Sequence, residues 1–177
     1  MLRAAIALSV GSIVAAAAPA SAADMATLGC VEQGMDQNAR TLLLTDLEKN
    51  LNNPDNQSYR PETITAIQAV AKACQAKHAW SAKAMQSAIL YTMPVIGWPL
   101  AERIARGKRL DPDALVARFR ALPVAERNNA VNDAVFGKLA RESEAAGELD
   151  GSNAKVAGAL YGLLGIREKS LADFKAN

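Results

Sequence analysis

The chain has 177 residues, of which 50% are hydrophobic, with 20 basic side chains, 18 acidic side chains and one histidine. A formal net charge of +2 is too small to attract nucleic acid or an anionic membrane surface strongly, so we expect neither partner. One histidine and two cysteines also leave few of the ligands that a zinc site needs, so we predict no metal and no cofactor.

The first residues have the three parts of a secretory signal peptide. Arg3 supplies a positive charge, residues 4–18 are uncharged and mostly apolar, and Ala20-Ser21-Ala22 provides the small residues that signal peptidase reads. The apolar run is short for a membrane span, which needs about 20 residues. We predict that residues 1–22 are removed, leaving residues 23–177 as one domain without a stable membrane span, periplasmic or secreted.

Both cysteines, Cys30 and Cys74, lie in the exported part of the chain. An even pair in an oxidising compartment predicts one disulfide, and its separation of 44 residues implies a stabilisation of about 4 kcal/mol. The alternative is a lipid anchor on Cys30, because residues 27–30, Thr-Leu-Gly-Cys, faintly resemble a lipobox. Lipidation would leave Cys74 without a partner, so the disulfide is the favoured interpretation.

The first two predicted helices carry apolar side chains at helical spacing. A stripe of Leu44, Leu47 and Leu51, with Leu43 beside them, ends at the turn formed by residues 52–55, Asn-Asn-Pro-Asp. The second helix begins near Pro61, a residue suited to the first turn, and its spacing places Cys74 on the buried face.

Ser81 is a natural N-cap for a third helix. Trp80 before the cap and Met85 after it have the spacing of a hydrophobic staple. A tryptophan in that position is expected to contribute only modestly to stability.

Residues 84–101 contain no charged side chain and include two prolines, Pro94 and Pro99. Because proline disrupts a helix interior, we expect a break there, followed by another helix that ends near Gly107. A membrane span is the weakest interpretation of this segment, since prolines and a glycine interrupt it.

The connector within this segment, residues 91–99, has two other interpretations. It can cross the core, which is the favoured one, or its large side chains Tyr91, Met93 and Trp98 can line a groove for a partner peptide or a small apolar ligand. The groove would border a basic cluster of Arg103, Arg106, Lys108 and Arg109. This cluster is either a solvated helix end or a surface for phosphates and anionic envelope polymers.

Further helices follow to the end of the chain. Asp111 and Pro112 are typical of a helix start, and Pro123 begins a long helix that is expected to run through Val131 and close around Gly147.

Ser152 is the expected N-cap of the last strong helix, and a short separate helix is expected at residues 168–175. No segment alternates with the period of a β-strand. We therefore predict an all-α fold, a single-domain irregular bundle of about seven helices with one disulfide.

Catalytic motifs are nearly absent. The segment from Ser152 to Lys155 has the S-x-x-K spacing of the nucleophile motif of penicillin-recognising enzymes, but the S-D-N and K-T-G motifs that accompany it are missing. His78 is interpreted as a residue at a helix C-terminus rather than a metal ligand. We therefore predict no enzymatic activity, with a Ser-Lys hydrolase as a remote alternative.

The function that remains is binding. We predict an exported helical protein that binds a protein or a cell-envelope component, with a small apolar-ligand carrier as an alternative. A second alternative is a structural homo-oligomer, because Gly158 and Gly162 form a G-x-x-x-G step that allows close helix approach.

Overall fold

The structure, a computed structural model, describes residues 22–129 and 132–177. These residues form one short 3-10 helix, Met25–Thr27, and eight α-helices, with no β-strand among them. The helices are α1 (Cys30–Gly34), α2 (Gln37–Asn52), α3 (Pro61–His78), α4 (Ala82–Gly107), α5 (Pro112–Ala121), α6 (Val124–Asn128), α7 (Asp133–Ala145) and α8 (Ala154–Ala176). The predicted all-α irregular bundle is confirmed. The predicted signal sequence falls, apart from Ala22, outside the described residues, and so does Val131.

The two longest helices, α4 and α8, pack against each other and form the centre of the bundle. Helix α4 also contacts α1, α2, α3 and α5, whereas α8 also contacts α2, α5, α6 and α7. Burial of apolar side chains from all these helices drives the packing. No helix in the described residues is both long enough and apolar enough to span a membrane.

The disulfide joins the first helix to the third. Cys30 at the start of α1 is bonded to Cys74 in the last turns of α3, with their Cα atoms 6.0 Å apart. The predicted pairing is confirmed, and Cys74 is buried as expected. A lipid on Cys30 would require the sulfur atom that the disulfide uses, so the lipid-anchor alternative is incompatible with this pairing.

The predicted break at Pro94 and Pro99 is wrong. Helix α4 continues through both prolines for 26 residues. Its inner face buries Thr92, Ile96 and Leu100 against neighbouring helices, and this burial outweighs the local cost of the prolines. Gly97 assists the packing, because a Cβ there would lie 2.7 Å from a methyl group of Leu47 on α2.

The prediction of one long helix after Pro123 is also wrong, since α6 ends at Asn128 and a separate helix, α7, begins at Asp133. Asn132 caps α7 by accepting a hydrogen bond of 2.8 Å from the Ala134 amide, and asparagine side chains of this kind compete with a continuous helix. The closure around Gly147 is confirmed: it has a φ of 72°, which glycine adopts without strain.

Helix α8 differs from its prediction at both ends. It begins at Ala154 rather than after a Ser152 cap, because the Ser152 hydroxyl donates to Asp150 over 2.6 Å. It continues to Ala176 without the predicted separate C-terminal piece. Phe174 is completely buried at its far end, so the apolar face of one long helix extends over the whole segment.

A buried carboxylate connects α2 to the start of α3. Asp46, 3% exposed, accepts hydrogen bonds from the Thr63 hydroxyl at 2.6 Å, the Arg60 amide at 3.0 Å and the Arg60 Nε at 2.6 Å. Burial by itself would raise the pKa of Asp46, but the hydrogen bonds from Thr63 and Arg60 outweigh it and lower the pKa below 3.8.

Candidate functional site

An open groove separates the outer sides of α2 and α4, and we call it the α2–α4 groove. Its volume is about 520 Å³, within the usual range of ligand sites, about 300–1,000 Å³. Glu32 of α1 also borders it. The groove is lined by Glu32, Arg40, Thr41, Leu44, Thr45, Glu48, Val95, Ile96, Pro99, Leu100 and Arg103.

The α4 wall of the groove is apolar and includes one of the prolines. Val95 is half-buried, Ile96 and Leu100 are buried, and Pro99 is exposed. Proline has no amide hydrogen, so the Val95 carbonyl, four residues earlier, lacks its usual intrahelical donor. The wall is therefore mainly apolar, with Pro99 as its exposed member.

The α2 wall combines one leucine with polar side chains. Leu44 is half-buried, whereas Thr41 and Thr45 are exposed and donate their hydroxyl hydrogens to helix carbonyls at 2.8 Å. Arg40 is held in place by the carbonyl groups of Met35, at 3.2 Å, and Glu32. The wall is thus ordered by its own hydrogen bonds.

The groove carries charges that the protein does not neutralise by pairing. In residues 22–129 and 132–177, Arg103 on the α4 wall forms no ion pair, and neither do Glu48 and Glu32 across from it. Arg40 on the α2 side also forms no ion pair among the described residues, so cations and carboxylates are mixed across the groove.

The four residues of the predicted basic cluster are all exposed but have different surroundings. Only Arg103 lines the groove, whereas Arg106 pairs with Asp113 at 3.1 Å. Arg109 lies near Asp150: hydrogen bonds from Ser152 lower the pKa of that carboxyl, and the charge of Arg109 adds to the effect. Lys108 is the C-cap residue of α4.

The three side chains predicted to line a groove are half-buried, and the structure does not bring them together as one surface. Tyr91 and Trp98 are roughly two turns apart on one side of α4, whereas Met93 is turned from Tyr91 by roughly half a turn. The Trp98 Nε1 donates to Glu102 of the same helix at 2.8 Å. None of the three lines the α2–α4 groove, which uses their neighbours Val95 and Pro99.

A second groove, the α2–α8 groove, has a volume of about 340 Å³ and includes Gly158 and Gly162. A Cβ atom at either glycine would meet nothing within 4 Å, so no helix in the described part of the chain uses them for close approach. At the rim Lys155 pairs with Asp55. In the floor, the Asn50 Oδ1 accepts from the Ser58 amide at 2.9 Å.

The arrangement around Ser152 gives the S-x-x-K spacing no support. Ser152 donates to the Asp150 carboxylate at 2.6 Å, whereas Lys155 binds Asp55. His78 lies in the last turn of α3, as predicted, and stacks on the Trp80 ring at 5.6 Å. In the described part of the chain, no group of three or more His, Cys, Asp or Glu side chains is placed to hold a metal ion.

Sequence reasoning missed the α2 side of the groove. The predicted stripe contained Leu44, Leu47 and Leu51 with Leu43 beside them. Leu43, Leu47 and Leu51 are buried on α2, whereas Leu44 is left in the groove. Leu43 is in register with Leu47 and Leu51, four and eight residues later, whereas Leu44 is turned from Leu43 by about 100°, and that offset was the available signal.

The fold and the groove define a class of protein: an all-α, disulfide-bonded bundle with an open, partly apolar cleft between two helices. Compared with protein-family models, curated proteins and solved structures, the chain matches none.

Proposed function

We propose that this is an exported, non-enzymatic helical protein that binds a protein or cell-envelope partner through the α2–α4 groove. The observation that carries the proposal is the groove itself, where the apolar surface of Leu44, Val95 and Ile96 lies beside the unpaired cation of Arg103. Apolar clefts with a few polar groups at their edges are the usual form of binding sites.

Export is supported by the signal-like N-terminus and by the disulfide, since disulfides persist in oxidising compartments. Ser152 and Lys155 each bind a different carboxylate, so their S-x-x-K spacing lends the hydrolase alternative no support. The groove offers contact and charge rather than a nucleophile placed beside a base.

Site-specific photo-crosslinking in the native envelope tests the proposal. A photo-crosslinking phenylalanine analogue replaces Val95 in the groove or, as the matched control, Leu90, an exposed aliphatic residue of the same helix that does not line it. We expect a discrete crosslinked product from position 95 only, and its loss when Leu44→Glu is added. Equal labelling from both positions, or none from position 95, would contradict the proposal.

A homodimer through the α2–α8 groove is a second candidate. Gly158 and Gly162 leave a strip of helix surface that another helix could approach closely, with open space above both. Sedimentation would detect a stable dimer of the mature protein, and Gly158→Leu is expected to dissociate it. A monomer at all accessible concentrations would eliminate this candidate.

A further inference from the structure

We infer that residues 53–57, which follow α2, form a strap that opens and closes over the α2–α8 groove and is held shut by a salt-sensitive ion pair. The strap borders one side of the groove through Pro54, Asp55 and Gln57. The inference does not rest on the proposed function, which concerns the α2–α4 groove, so either can fail without the other.

The strap can move as one piece. Its tip is a turn in which the Asn56 amide donates to the Asn53 carbonyl at 3.1 Å, so the turn keeps its shape without help from α8. The three residues after Pro54 are exposed, and Pro54 itself is half-buried. Little buried apolar surface therefore holds the strap against the bundle.

The two ends of the strap are fixed to the bundle. At the first end, the Asn53 amide donates to the Lys49 carbonyl of α2 at 3.0 Å. At the second end, the Ser58 amide donates to the Asn50 Oδ1 at 2.9 Å, and the chain then reaches the buried network of Asp46. These anchors confine movement to the strap.

One exposed ion pair connects the strap to α8. Asp55 pairs with Lys155, and each side chain is 68% exposed. Within residues 22–129 and 132–177, the strap makes no other hydrogen bond or ion pair with α8. An exposed pair contributes little to stability and is weakened by salt. Ionic strength can therefore shift the strap between its closed and open positions.

The groove beside the strap contains groups that act for and against closure. Leu47 and Leu51 are 2% and 4% exposed, and closure keeps them out of water. Asn50 lines the same groove, and in the described part of the chain its buried Nδ2 donates to no acceptor, the neighbouring Tyr59 hydroxyl included. Lifting the strap brings water to this part of α2, where it can satisfy that donor. These opposed contributions favour a strap with two positions.

Spin labels report the position of the strap. One nitroxide is attached to Asn56→Cys and one to Arg167→Cys, an exposed position of α8, and pulsed electron paramagnetic resonance measures their separation. The two native cysteines are bonded to each other, so the introduced thiols react selectively. Labelled protein is diluted with unlabelled protein to exclude distances between copies. Labels at Glu62→Cys and Arg167→Cys are the control pair, because neither position lies on the strap.

We expect a short and a long distance, with their ratio moving about two- to fivefold toward the long one when Lys155→Met removes the ion pair. High salt should have this effect on the wild type and none on Lys155→Met. Lys169→Met is the matched control, because it removes the pair with Asp173 on the same helix and should leave the ratio unchanged. A single distance under all conditions overturns the inference, as does an equal change in Lys169→Met or in the control label pair.

Charge reversal tests the ion pair itself. Lys155→Asp places two carboxylates together and should move the ratio further toward the long distance than Lys155→Met does. Adding Asp55→Lys restores an attractive pair with its charges exchanged, and the ratio should return to the wild-type value. A double variant that keeps the long distance overturns the inference, and so does a salt response that persists in Lys155→Met.

Discussion

Trp80 lies just before helix α4 and Trp98 lies within it, and the surroundings of these two tryptophans differ completely. Trp80 is 5% exposed, and its Nε1 donates to the Thr27 hydroxyl at 2.8 Å across a separation of 53 residues. Its ring meets the edge of Phe174 with centroids 5.2 Å apart. Trp98 is half-buried and donates only to Glu102, one turn along its own helix.

The difference shows why the spacing of residues along the chain is a poor guide to how much a side chain contributes to folding stability. The staple spacing of Trp80 describes only its local partner, whereas the structure joins it to the N-terminal segment and to the end of α8. Trp98 lies in the uncharged segment of residues 84–101, but its hydrogen bond is to Glu102 in the next turn of the same helix. We therefore expect Trp80 to carry much more of the stability.

The largest effect is expected for Trp80→Ala. The change removes a buried ring and the N–H group that donates to the Thr27 hydroxyl, so it should lower the free energy of unfolding by about 3–5 kcal/mol. Denaturant unfolding followed by circular dichroism measures the loss. Trp80→Phe is the control that keeps an aromatic ring but removes the N–H donor, at a cost of about 1 kcal/mol. If Trp80→Ala costs less than about 1 kcal/mol, Trp80 contributes no more to stability than a local hydrophobic staple does.

The disulfide should have the next largest effect, because it holds the segment that carries Thr27. Cys30→Ser and Cys74→Ser are each expected to destabilise the protein by about 4 kcal/mol, and the double variant should lose no more. Thermal unfolding measures all three variants. Trp80→Phe should also cost less in the Cys30→Ser background, since the N-terminal segment is then held less firmly. Two free thiols by intact mass in the native protein would contradict the pairing.

A smaller effect is expected for Asp46, whose partner Thr63 is 17 residues away. Asp46→Asn should cost about 2–3 kcal/mol near neutral pH, because the carboxylate accepts hydrogen bonds from Thr63 and Arg60. The folded-state pKa lies below the ordinary 3.8, so this stabilisation is present above that value and is lost as the pH falls through the folded-state pKa.

The free energy of unfolding of the wild type and of Asp46→Asn, measured across the acid pH range, tests the direction of this pKa shift. The difference between wild type and Asp46→Asn should be constant above about pH 5 and shrink below about pH 4. A difference that grows on acidification would show that the folded-state pKa is raised instead. Asp113 is the control position, since its carboxylate is largely exposed in its pair with Arg106 and its replacement should change little.

Local signals predicted much of this fold correctly. Ser81 accepts from the Ala84 amide as an N-cap should, and Pro61 and Pro112 lie in the first turns of their helices. These features depend on residues close together in the chain, where spacing determines geometry. The disulfide could be predicted because there was only one intramolecular pairing to consider.

The predictions that failed depend on contacts between residues that are far apart in the chain. Pro94 and Pro99 remain in one helix because α2, α3 and α8 cover its other faces, and no local rule contains that information. Asp46 lies on the same buried face as Leu43 and Leu47, and a polar residue in that stripe could have been recognised as part of a buried network. The groove could not be derived, because it requires knowing which sides of α2 and α4 remain uncovered.

The smallest effect is expected for Trp98→Ala. Part of its ring is already in water and its N–H bond is to Glu102 on the same helix, so we expect a loss of about 1–2 kcal/mol. Iodide quenching of the Trp80→Phe variant, which leaves Trp98 as the only tryptophan, should be substantial. Photo-crosslinking from position 95 should be unchanged in Trp98→Ala, because Trp98 does not line the α2–α4 groove. A loss of stability as large as that of Trp80→Ala would remove the contrast between the two tryptophans, and a loss of the crosslink alone would extend the binding surface from Pro99 to Trp98.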